Sequence, residues 1–202
     1  MGNAVTQRKM ERDYETRNLK GFEGDEIMAD KIRELIKFYG INLVIEGGTY
    51  LGGTARRLAM MCAEVITIEN NLAHYEKAKE LLSPCKNTYM FFGSTVDILP
   101  KMLHFYSDRK ILFFSDAHWE SHNPMLEELE IIRESGLKPV IAIHDFQVPN
   151  HPELGFDIYK GIVYEWDWIK DSIERIYGKD YNIEYNSKAT GAQRGIIYIT
   201  PL

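Results

Sequence analysis

The sequence predicts an α/β domain, a mostly parallel sheet with helices on both faces. Three observations predict it. Five short apolar runs alternate with segments of helical periodicity. Each of those runs ends in glycine or polar residues. Two further apolar runs near the end of the chain are joined by a polar loop with no helix between them. Continuous apolar runs separated by helices indicate strands buried on both faces, and right-handed crossovers follow. The final pair, lacking a helix, should be antiparallel.

The elements follow in order. From Asp25 to Tyr39, the residues Ile27, Met28, Ile32, Leu35 and Ile36 recur at helical spacing, and Gly40 is a suitable stop. Leu43 to Ile45 is the first strand. A helix over Arg56 to Met61 leads to a second strand, Val65 to Ile68. Leu72 to Leu82 is helical and ends before Pro84, and Tyr89 to Phe92 is the third strand. Val96 to Phe105 reads as helix despite Pro100, and Ile111 to Phe114 is the fourth strand. Met125 to Glu134 is a helix opened by Pro124 and closed by Gly136. Val140 to Ile143 is the fifth strand. A loop with Pro149, Asn150, Pro152 and Gly155 then leads to a helix expected from Ile158 to Ile176. Ile183 to Tyr185 and Ile196 to Ile199 are the last strands. Residues 1–22, charged and poor in apolar positions, are expected to form a flexible or peripheral arm. Residues 23–202 form the domain.

Composition narrows the function. The 202 residues are 45% apolar and 27% charged, ordinary for one globular domain. No apolar run approaches the roughly 20 residues that span a bilayer, and no secretory signal opens the chain. Cys62 and Cys85 form no CxxC pair and are expected to be reduced thiols in a cytoplasmic protein. The net charge of −6, without a basic block, disfavours nucleic acid and membrane surfaces as partners. A small-molecule substrate is expected. The amphipathic first helix is compatible with a homo-oligomer.

In an open parallel sheet, ligands bind beyond the carboxyl ends of the strands. The five endings are Glu46 to Thr49, Glu69-Asn70, Gly93 to Thr95, Ser115 to His118, and His144-Asp145. The first turn carries Gly47, Gly48, Gly52 and Gly53, which allow close backbone approach to a ligand. Glu69 stands at the end of the second strand, where a carboxylate can accept hydrogen bonds from two ribose hydroxyls. Together they point to a cofactor that contains a nucleoside. A dinucleotide requires G-x-G-x-x-G, and Tyr50 occupies the place of the second glycine. S-adenosylmethionine has no phosphate, and its sulfonium and ammonium tolerate Glu46.

Ile45 to Thr54 resembles the first motif of class I S-adenosylmethionine-dependent methyltransferases, in the variant with a G-T-x-x-G core. Ile66 to Glu69 is similar to the second motif, Gly93-Ser94-Thr95 with Leu99-Pro100 to the third, and Ser115 to Trp119 to the fourth. The resemblance implies a Rossmann-like methyltransferase fold, a seven-stranded sheet whose last strand is antiparallel. It places Gly48, Thr49 and Tyr50 at the methionine part, Glu69 at the ribose, and Gly93, Ser94 and Thr95 near the adenine. Glu46, Gly52, Asn70 and Asp116 are counted as further cofactor contacts.

Some small-molecule O-methyltransferases and cephalosporin-hydroxylase-like members of that superfamily bind a divalent metal. Asp116 and Asp145 match the acidic positions, while His144 departs from the usual Asp or Glu. The resemblance therefore suggests Mg²⁺ or Mn²⁺ at Asp116, His144 and Asp145. The other reading is that Asp116 caps its loop, with His144 and Asp145 bonded to backbone. A hydroxyl nucleophile must lose its proton; His118 is the first candidate base and His144 the second. Lys188, Gln193 and Arg194 of the last loop, and residues 149–156, are expected near the substrate. Tyr159, Tyr164, Trp166 and Trp168 are expected to pack. The expected function is O-methylation of a small hydroxylated molecule, such as a sugar or a secondary metabolite. The alternatives are a nicotinamide-dependent oxidoreductase and a cofactor-binding domain without turnover.

Overall fold

Helix caps and strand periodicity account for the frame of the computed structural model, which describes residues 13–117 and 123–202. The described chain begins with a helical segment, 13–19 (α1). Asp25 caps the next helix, α2 (Glu26–Tyr39), accepting hydrogen bonds from the Ile27 and Met28 amides. Gly40 ends it in the left-handed conformation that glycine adopts readily. The alternation expected from the sequence follows: β1 (Leu43–Gly47), α3 (Gly53–Ala59), β2 (Glu64–Glu69), α4 (Leu72–Leu82), β3 (Thr88–Phe92), α5 (Thr95–Phe105), β4 (Ile111–Ser115), α6 (Met125–Ser135) and β5 (Val140–His144). A small hairpin, β6 (Ile158–Tyr159) and β7 (Ile162–Val163), precedes α7 (Trp166–Tyr177), β8 (Tyr181–Tyr185) and β9 (Ile196–Pro201).

Seven strands form one sheet in the order β3-β2-β1-β4-β5-β9-β8. The first five run parallel. β9 is antiparallel to both β5 and β8, so β8 runs with the rest. The expected sheet with its reversed last strand is thus present.

The period of two along each strand divides the core between two faces. Leu43, Ile45, Phe113 and Ile143 pack with Leu99, Leu129, Ile132 and Ile173 of α5, α6 and α7. Val44, Leu112 and Ala142 pack on the other face with Met28, Ile32 and Leu58 of α2 and α3. Each of these side chains larger than alanine contributes about 1.5–3 kcal/mol by its burial. Tyr164 is buried in the first cluster, and Tyr159, Trp166 and Trp168 pack against it, as expected of them. Cys62 and Cys85 are both free thiols. Among the described residues no helix is long and apolar enough to cross a membrane.

One element differs from expectation. The helix predicted from Ile158 begins at Trp166, because residues 158–163 form the hairpin instead. Lys160 and Gly161 both have positive φ, 49° and 82°. That is the backbone of a two-residue hairpin turn whose twist suits its flanking strands. Ile158, Ile162 and Val163 are β-branched and favour the extended arms.

Candidate functional site

A cavity of about 460 Å³ opens at the carboxyl ends of the strands, where the order reverses between β1 and β4. This crevice is where open α/β sheets bind ligands, and its volume lies in the range of small-molecule sites. Of the residues expected at the cofactor, Gly48, Tyr50, Glu69, Asn70, Gly93, Thr95 and Asp116 line it.

The floor is built by the turn after β1. Gly48 has φ of 89°, and a Cβ there would stand 2.2 Å from the Asp116 carbonyl oxygen. Only glycine lets the first turn lie this close to the end of β4. Glu69, 6% exposed, is fixed on both oxygens: Oε2 accepts from the Tyr50 amide at 2.7 Å and Oε1 from the Asn71 amide at 2.7 Å. Its carboxylate is therefore oriented at the cavity wall before any ligand arrives. His74 of α4 packs edge-on against Tyr50 with ring centroids 4.6 Å apart.

Four of the expected contacts are not among the residues that line the cavity, and each has a structural task. Glu46 is fully buried beneath the turn, where Thr67 donates to its Oε2. Its Oε1 has no partner, and burial pushes its carboxyl up to about 8. The Thr49 hydroxyl bonds that of Thr67. Gly52 caps α3 against Ala78 and Leu82 of α4. The Ser94 hydroxyl accepts from the Val96 amide and caps α5.

The opposite wall joins distant segments. Asp116 and Ala117 follow β4, Asp145 follows β5, and Asp157, Ala192 and Arg194 come from the two later loops. Arg194 forms ion pairs with both Asp145 and Asp157. Gly155 lies directly under the Arg194 guanidinium, since a Cβ would stand 2.8 Å from its Nη1. Of the loop residues expected near the substrate, Arg194 reaches the cavity, whereas Lys188 and Gln193 are not among its lining.

His144 lies behind this wall rather than in it. It is 2% exposed, with Nδ1 3.2 Å from Asp116 Oδ1 and 3.6 Å from Asp145 Oδ1. Burial alone would lower its pKa, but Asp145 and Asp116 override that and carry it to about 10. Its Nδ1 is turned to the two carboxylates, whose pull favours the imidazolium. Its geometry suits a fixed charge that holds Asp116 and Asp145 in place. His118 and Trp119 lie outside the described residues.

The same facts bear on the suggested metal. Glu23, His144 and Asp145 bring ligand-type atoms within 4.8 Å of one another. Asp145 Oδ1 is already paired with Arg194. This cluster differs from the expected set, with Glu23 in the place of Asp116.

The roof was not anticipated from the sequence. Tyr14, Arg17 and Asn18 of α1, together with Glu23, line the cavity from above. The Phe22 amide donates to Thr54 Oγ1, and Arg57 of α3 pairs with Glu26. Phe22 is buried and meets Phe114 edge-on. Four successive residues, Gly21, Phe22, Glu23 and Gly24, have positive φ. The only available signal was the glycine pair that brackets Phe22-Glu23.

No protein-family model matches this chain, and no curated protein matches it in sequence. Solved structures do match in fold. An O-methyltransferase from Bacillus cereus in complex with SAH superposes with a TM-score of 0.63 at 14% identity, covering 98% of this chain and 91% of its own. A methyltransferase from Geobacter sulfurreducens gives 0.59 at 15% identity, with coverages of 96% and 87%. The O-methyltransferase TomG from Streptomyces achromogenes, involved in tomaymycin synthesis and solved with SAM, gives 0.58 at 16% identity, with coverages of 86% and 79%. The fold of this chain is therefore the Rossmann-like fold of class I methyltransferases. At such identities the likeness concerns fold, and function must be argued from the site.

Proposed function

We propose that the chain is an S-adenosylmethionine-dependent methyltransferase that methylates a hydroxyl of a small molecule. The observation that carries this reading is the cavity at the strand-order reversal, with Gly48 clearing its floor and Glu69 fixed at its wall. The structural neighbours solved with SAM or SAH support the same cofactor. A nicotinamide dinucleotide is served less well, because Tyr50 stands where its pyrophosphate needs a glycine.

Bound S-adenosylmethionine would supply an electrophilic methyl carbon on a sulfonium. Glu69 would hold the ribose hydroxyls, and Gly48 and Tyr50 would border the methionine part. The acid-rich lining suits a cationic donor. In the transfer, a bond forms between the acceptor oxygen and the methyl carbon as the bond from sulfur to that carbon breaks. Positioning supplies much of the rate. The hydroxyl proton needs a base, and His118, which follows Ala117 of the cavity wall, is our candidate. His144 would act through Asp116 and Asp145 as a positioning residue. Titration calorimetry with S-adenosylhomocysteine tests the reading. We expect saturable binding that Glu69→Ala weakens roughly 100-fold; no binding by the wild-type protein would refute it.

A further inference from the structure

The proposed transfer site has one carboxylate that the reading above does not use. Glu23 lines the cavity, is half-buried, and makes no hydrogen bond or ion pair among the described residues. Its neighbours are committed elsewhere. Arg194 is paired with Asp145 and Asp157, and His144, a ring nitrogen of which lies within 4.8 Å of the Glu23 carboxylate, turns its Nδ1 to Asp116 and Asp145. Glu69 is held by two backbone amides. Arg17, the other arginine of the lining, is exposed.

Glu23 is also held in place at a conformational cost. Its φ of 49° and ψ of 29° lie in the left-handed region, as does the φ of Phe22 before it. For residues other than glycine this costs on the order of 1 kcal/mol or more each. Buried Phe22 anchors the turn on Phe114, and a Cβ on Gly191 would stand 2.3 Å from the Glu23 carbonyl oxygen. The packing thus holds a carboxylate without a hydrogen bond or ion pair at the wall of an acid-rich cavity. Burial raises its pKa, Asp116 and Asp145 raise it further, and His144 and Arg194 only partly offset them. A ligand cation would relieve that repulsion.

We infer that Glu23 is a specificity residue, and that it selects an acceptor bearing a protonated amine in addition to the hydroxyl that is methylated. An ammonium brings three donors and no acceptor, which suits a pocket whose free group is a carboxylate. The inference rests on the methyl-transfer reading of this cavity and narrows its substrate class to amino-phenols, amino-alcohols or amino-sugars.

The test uses the full chain saturated with S-adenosylhomocysteine and calorimetry with matched probes. These are tyramine against N-acetyltyramine and 4-ethylphenol, and glucosamine against glucose. At pH 7 the amine in at least one set should bind tenfold or more tightly than its neutral partners, and Glu23→Gln should remove that preference. If S-adenosylhomocysteine itself fails to bind, the methyltransferase reading falls. If it binds but neither amine is preferred, the inference alone is overturned. The wild-type comparison decides this even should Glu23→Gln fail to fold. A folded Glu23→Gln protein that keeps the preference overturns the role of Glu23.

Discussion

The floor and the roof of the cavity are built in opposite ways. The floor is local: Gly48 and Tyr50 lie in the turn between β1 and α3, and Glu69 ends β2, the parallel neighbour of β1. The roof is assembled from the two ends of the chain. Asp25 Oδ1 accepts from the amide and hydroxyl of Thr190, and Gly191 abuts Gly24. The difference suggests a division of labour. Under the proposed reading the sheet end would hold the cofactor, and the long-range loops, the part of a fold where sequences vary most freely, would frame the acceptor.

Four substitutions break or sharpen that comparison, in descending order of effect. Gly48→Ala should destabilise the protein by about 4 kcal/mol, combining left-handed strain with a collision at the Asp116 carbonyl. Chemical denaturation measures this, and a loss under 1 kcal/mol would show that the floor yields. Glu69→Ala should weaken S-adenosylhomocysteine by about 3 kcal/mol, roughly 100-fold, through lost charged hydrogen bonds. Calorimetry giving less than a fivefold change would move the cofactor elsewhere.

Glu46→Gln probes the buried support under the floor. The folded pKa of Glu46, about 8, lies above its ordinary value near 4.5, so the unfolded chain releases this proton first. Its contribution is therefore most favourable below about pH 4.5 and declines as pH rises to about 8. The wild-type melting temperature should fall across that interval. Glu46→Gln should recover about 2 kcal/mol at pH 8. Parallel melting curves for the two proteins would contradict this. Thr190→Val should cost only about 1 kcal/mol, by removing roof hydrogen bonds. It should leave the affinity for S-adenosylhomocysteine within twofold. A larger loss would mean that floor and roof are one unit.

The floor was legible because its signals are close in sequence. A glycine-rich turn after one apolar run and an acid after the next suffice to place Gly48 and Glu69. The sheet was legible for the same reason, down to the reversed β9. Glu46 was misplaced because its sequence position adjoins the turn while its side chain points into the core, a matter of strand alternation near a bend. His144 was found, but its charge depends on Asp145 beside it and on Asp116, 28 residues earlier and brought near only by the fold. Tyr14 and Glu23 were missed because nothing near them in the sequence signals a ligand. The hairpin at 158–163 was read as helix because the periodicity of Ile169, Ile173 and Ile176 extends backward into it. A lysine in a left-handed turn gives no warning.

Asp25 Oδ1 serves four donors: the amides of Ile27, Met28 and Thr190, and the Thr190 hydroxyl. The acceptor that starts α2 is thus the same atom that fastens the loop before β9. In an assembling chain the cap can form as soon as residues 25–28 exist, but the fastening waits for residue 190. Ordering of the roof is therefore tied to the last part of the chain. Trimming either end back to this junction would leave the other end without its anchor.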